Sequence, residues 1–144
     1  MRISCGRGWQ RMGMVIEISI EHGFLRVRVT GEFSLDSAKE ITVEVLNAVV
    51  HNKIDKVLVD AREVTGALSA LDRYLLGDFV ADVVHRFSGP GVPRTTKFAT
   101  VARPPILDGS RLAETVARNR GIFVKVTEDP EEAREWLGLA KRVL

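Results

Sequence analysis

A single cysteine, Cys5, in a chain of 144 residues leaves no internal disulfide, and so no support for a fold stapled in an oxidising compartment. Long apolar runs are missing too: none approaches the roughly 18 residues of a membrane-crossing helix. Residues 1–13 have the charge of a secretory leader but neither its apolar run nor its cleavage pattern. The glycine patterns that cradle phosphates are absent, as are a Cys–His pair and any clustered set of metal ligands. Repeats and low-complexity tracts do not occur. A soluble cytoplasmic protein is the expectation, with no metal, no cofactor and no stable membrane insertion.

Net charge is also small. The chain carries +2, but Arg2, Arg7 and Arg11 sit in the first 13 residues, where there is no acid. The remainder holds 18 basic against 19 acidic residues. A balanced body offers no long-range attraction to phosphate backbones, so nucleic acid is not an expected partner. What the chain does have is 45% apolar residues, enough for one domain with a real core. Residues 1–13 read as a flexible extension, an upstream start assigned in place of Met12 or Met14, and residues 14–144 as one domain. The rival for the extension is an ordered arm held by Trp9.

Alternation marks the first two strands. Ile16, Ile18 and Ile20 share one face of residues 15–20; Leu25, Val27 and Val29 share one face of 24–30, with Arg26 and Arg28 opposite. Glu21, His22 and Gly23 form the turn, which makes the pair an antiparallel hairpin at a sheet edge. Ser34 or Asp36 caps a helix over 35–50, with Ala38, Ile41, Val45, Ala48 and Val49 toward the sheet. The run 57–59 is too short and too β-branched for a buried helix, so it reads as a central parallel strand. The loop 60–68 then lies at that strand's carboxyl end, where open α/β sheets usually keep their sites.

Ser69 with Asp72 three residues on is a capping-box signature, and the helix it opens runs to about residue 87. Residues 88–93 break it. A strand over 95–101 follows, and Pro104 and Pro105 turn 103–109 into a second loop on the same side. A helix over 110–119 and a strand over 123–126 come next. Asp129 caps the last helix, Pro130 occupies its first position, and Ala133, Trp136, Leu137 and Ala140 form its inward stripe.

These segments resemble the STAS family, the domain of bacterial anti-sigma-factor antagonists and of sulfate-transporter tails. The resemblance is carried by FLRVRVTGEF at 24–33, the helix after it, Val57-Leu58-Val59-Asp60, and the serine-capped helix. Within that superfamily the chain is similar to the divergent bacterial SpoIIAA-like branch that is also similar to CRAL-TRIO lipid-transfer domains, through its aromatic strand at 123–126 and Glu132-Ala133-Arg134-Glu135-Trp136-Leu137. The resemblance covers 15–139. It implies an α/β domain, two-layer or open sandwich, with a five-stranded, mostly parallel sheet, an antiparallel first strand and four helices. The antagonists' loop reads approximately D-L-S-x-V-x-x-I-D-S-S-G, against DAREVTGALSAL here. Ser69 takes the first place of the serine pair, whereas the family's phosphorylated serine is usually the second, here Ala70. Leu68 and Leu71 replace the flanking Asp and Gly. Ser69 stands as a candidate phosphosite beside its capping role.

Catalysis needs a nucleophile or an acid–base pair, and the carboxyl-edge loops offer Asp60, Arg62, Glu63, Ser69, Arg103 and Asp108. Asp60 with Arg62 reads as a local ion pair, and His51 and His85 are remote from those loops along the chain, so no catalytic residue is assigned. On the long helix, Leu76, Phe79, Val80, Val83 and Phe87 serve the sheet. Leu71, Tyr74 and Leu75 form a second patch that must cover something else. The expected function is a non-enzymatic protein-interaction module, with regulation in view, that uses this patch as its interface; a second copy is the simplest partner. The rival cover for the patch is Ile106 and Leu107 of the 103–109 loop. The alternative function is a small-molecule or lipid-binding domain, its small apolar ligand held at the carboxyl end of the strands near Asp60, Arg62, Ser69, Arg103 and Asp108.

Overall fold

Alternating apolar side chains build one sheet. In the computed structural model, which describes residues 2–4, 13–88 and 95–139, its strands are β1 Arg2–Ser4, β2 Val15–Glu21, β3 Phe24–Glu32, β4 Lys56–Thr65, β5 Lys97–Val101 and β6 Phe123–Thr127. The helices are α1 Leu35–Asn52, α2 Ala70–Ser88, α3 Leu112–Asn119 and α4 Pro130–Leu137. Strand order across the sheet follows order along the chain. β1 and β3 flank β2 antiparallel, and β3 through β6 are parallel. The expected mixed sheet and four helices are present, and β1 adds a sixth strand, pairing Ile3 with Ile18. Trp9 lies outside the described residues.

Each parallel connection steps in the same direction across the sheet, and crossovers of one hand then put their helices on one face. There α1, α2 and α3 cover Ile16, Ile18, Leu25, Val27, Val29, Val57 and Phe98. Leu25, Val27 and Val57 have no exposed surface, and each such side chain stabilises the fold by roughly 1.5–3 kcal/mol. Ser34 caps α1, its Oγ accepting from the Ser37 amide at 3.3 Å. Lys53 ends that helix in the left-handed region, with its amide on the Val49 carbonyl.

The described residues cover the other face only in part. α4 packs Ala133 and Leu137 on Phe24, Leu58, Ala99 and Val101. Asp129 caps it by accepting from the Glu131 amide at 3.0 Å. Trp136 is half-buried, with the Lys97 ammonium 5.3 Å from its ring centre. Ala140, expected on the inward stripe, lies outside the described residues.

Besides β1, the extent of one strand differs from the sequence reading. β4 does not end at Val59 but continues to Thr65, so Asp60 to Thr65 are strand and not loop. The physical reason is β3, which stays extended to Glu32 and offers a partner throughout: Thr30, Gly31 and Glu32 pair with Glu63, Val64 and Thr65. A register shift between Arg28 and Thr30 accommodates the extra residue.

Candidate functional site

Between the sheet and its three covering helices the side chains do not close. A cavity of about 270 Å³ remains. Its floor is sheet: Val29, Val59, Ala61, Phe98, Thr100, Val124 and Val126. Its roof is α1, through Ala38, Ile41 and Val45, and α2, through Leu76, Gly77 and Val80; Leu112, Ala113 and Ala117 of α3 close one side. Gly77 is what lets α2 and α3 meet here. A Cβ on it would lie 2.6 Å from the Ala113 carbonyl oxygen, a distance only glycine avoids. Phe33, Leu68, Asp108 and Arg111, among the more exposed lining residues, all sit toward the carboxyl end of the parallel strands, so the cavity opens there.

Charged groups at that opening are locked to one another. Arg73, on the inward stripe of α2, is only 8% exposed. Its Nη1 donates to the Ile106 carbonyl at 2.6 Å, its Nη2 to the Pro105 carbonyl at 2.8 Å, and its Nε lies 3.0 Å from Asp108 Oδ2. It therefore lashes the 103–109 loop to α2. The Asp108 carboxyl is held below its ordinary range, first by the Ser110 hydroxyl that donates to it at 2.8 Å, then by the Arg111 amide and the Arg73 charge. Beside it the buried Glu114 carboxylate faces Arg111 and Arg118, each at 3.3 Å, and accepts from the Val126 amide at 3.3 Å. Arg111 also donates to the Val126 carbonyl, and Arg118 Nε to the Val124 carbonyl at 2.7 Å.

The amino end of α2 lies at the same side of the sheet. Ser69 and Asp72 form the expected capping box: the Asp72 amide donates to Ser69 Oγ at 3.0 Å, and the Ser69 amide to Asp72 Oδ2 at 3.1 Å. Leu68 lines the cavity, whereas Leu71 and Tyr74 turn to solvent and are 63% and 45% exposed. Leu75 is half-buried. Ile106 and Leu107 line the cavity, and Leu107 is buried, so the loop turns its apolar residues inward.

The sequence candidates do not converge. Asp60 pairs in register with Arg28, whose neighbours Val27 and Val29 face the helices, so Asp60 lies on the opposite face from the cavity. There it accepts from Arg62 Nε at 2.9 Å and Nη2 at 2.8 Å, and Arg62 holds its carboxyl below the ordinary range. Arg28 bonds Glu63 at 2.7 Å on the same side. Arg103 is exposed at the loop, Asp108 lines the opening, and Ser69 sits one residue from the lining. Arg73 and Glu114 were missed. Their signal was a charge at an inward-stripe position, Arg73 four residues before Gly77 and Glu114 three before Ala117.

Among the described residues no cluster of His, Cys, Asp and Glu could hold a metal ion, and no helix is long and apolar enough to cross a membrane. No family model and no curated protein matches the sequence. Solved structures do. An uncharacterized protein with a SpoIIAA-like fold from Shewanella loihica PV-4 is 21% identical, with a TM-score of 0.48 over 87% of this chain and 93% of that one. An anti-sigma factor antagonist from Mycobacterium paratuberculosis is 16% identical, with a TM-score of 0.59 over 89% of this chain and 97% of that one. At such identity the likeness to the antagonist is one of architecture, and this chain carries the STAS-like α/β fold.

Proposed function

We propose that the chain is a non-enzymatic, STAS-like protein-interaction module with a regulatory role in the cytoplasm, and that Leu71, Tyr74 and Leu75 are its contact surface. The observation that carries this reading is the exposure of Leu71 and Tyr74 on the first turns of a firmly capped helix. The 103–109 loop, the rival cover, sends Ile106 and Leu107 into the cavity instead. The likeness in fold to an anti-sigma factor antagonist supports a protein partner. A second copy of the chain is the simplest one, because a leucine–tyrosine cluster can dominate an interface once its rim excludes water.

Sedimentation of wild type and Tyr74→Glu tests this. The variant should lose the dimer and still unfold cooperatively, its stability as a monomer changed by no more than the ~0.5 kcal/mol typical of a surface substitution. A wild type that is monomeric at high micromolar concentration removes the homodimer, and a variant that fails to fold removes the surface.

A second reading, a domain that holds a small apolar ligand, is supported by the cavity itself. Native mass spectrometry of the purified chain, with analysis of its lipid extract, should then show a retained apolar molecule.

A further inference from the structure

We propose that the cavity takes an uncharged, single-tailed molecule that buries about ten non-hydrogen atoms, such as a medium-chain alcohol or ester. The proposal rests on the ligand-binding reading and specifies its class. Size comes first. A dry apolar cavity of ~150 Å³ accepts benzene, so about 270 Å³ scales to roughly ten or eleven heavy atoms. A long-chain or two-tailed lipid does not fit in such a space.

Charge comes second. The ionic groups on the lining are Arg73, Asp108, Arg111 and Glu114. Arg73 already serves two carbonyls and Asp108, and Arg111 serves Glu114 and the Val126 carbonyl. An anionic head would meet two carboxylates and could recruit the buried Arg73 only by drawing it off the two carbonyls and the carboxylate that already match its donors, which is costly. A cationic head would compete with the same arginines for the same carboxylates. A neutral head disturbs none of these bonds. Thr42 spends its hydroxyl on the Ala38 carbonyl at 2.9 Å, so Thr100 is the uncharged lining side chain left to meet a ligand oxygen.

The test is an NMR titration of the full chain near pH 7.5 with 1-hexanol, 1-octanol, 1-decanol, 1-dodecanol and decanoate. Affinity should rise about fourfold per methylene until the tail fills the cavity near decanol, then level off. Decanoate should bind at least tenfold more weakly than decanol. Ala61→Phe, which fills the floor, should lose decanol binding; Val80→Phe makes the same demand from the roof should the first variant not fold. Decanoate binding as tightly as decanol overturns the uncharged class while leaving the ligand-binding reading in place. Affinity that keeps rising through dodecanol overturns the size limit. Saturable binding of none of the probes, or binding unchanged in a folded filled variant, overturns the proposal together with the reading beneath it.

Discussion

A guanidinium with less than a tenth of its surface in water is tolerable only when its donors are matched, and Arg73 meets that condition with two backbone carbonyls and one carboxylate. Its fork geometry explains why arginine holds the 103–109 loop: a lysine ammonium could not meet three acceptors spread in a plane. Ser69 does the matching task for the helix start, and its role separates cap from switch. Ser69→Ala should cost about 1 kcal/mol, whereas Ser69→Asp should be close to neutral, since aspartate also accepts the orphan amides and its charge suits a helix amino end. Urea midpoints check both. A partner lost with aspartate yet kept with alanine would instead identify Ser69 as a phosphoswitch.

At the scale of elements, α3 acts on the sheet's free edge. Among the described residues no strand lies beyond β6, and an open edge invites pairing with another chain. Three outward backbone groups of β6 are taken by α3 side chains and the residue before it: the Val126 amide by Glu114, the Val126 carbonyl by Arg111 and the Val124 carbonyl by Arg118. Glu114→Leu should therefore cost about 1–3 kcal/mol through the unpaired amide and the loosened arginines. It should also give concentration-dependent light scattering, absent from the exposed control Glu128→Leu. Helices and strands were largely legible in the sequence because caps and apolar periodicity are local: Ser34, Ser69, Asp129 and the alternation at 15–30 all appear where they were read. β4 extends further than the sequence suggests, and the sequence hides this because the residues after Val59 are mostly polar and lie partly on the sheet face away from α1, α2 and α3, where strand and loop share a composition. β1 depends on a pairing that three residues cannot announce. The site was less legible, since sequence alone could not show that Asp60 lies on the sheet face away from the cavity while Asp108 lines its opening, and the side chains that line the cavity read simply as core.

For the whole molecule, the carboxylates set the response to acid. Asp60 and Asp108 both have folded values depressed by hydrogen bonds and nearby arginines. A depressed carboxylate contributes stability that is complete above its unfolded value, roughly pH 4, and is lost as pH falls through the folded one. The urea midpoint should hold steady from pH 7 to about 5 and drop below about 4; Asp60→Asn with Asp108→Asn should start lower at pH 7 and fall less steeply. Chain order and sheet order coincide throughout: Leu25 meets Val57, Val57 meets Phe98, and Lys97 meets Phe123, each across one crossover. During synthesis, then, every strand finds its mate already made, and the nascent protein can assemble as it emerges, without waiting for a distant segment. The same arrangement leaves each newest strand as a raw border until its successor arrives. Among the described residues β6 is the last strand, and its seal is laid down just before it, because α3 leaves the ribosome ahead of β6. A chain halted after β5 would display an unguarded border, and such fragments should be the ones that chaperones and proteases meet most often.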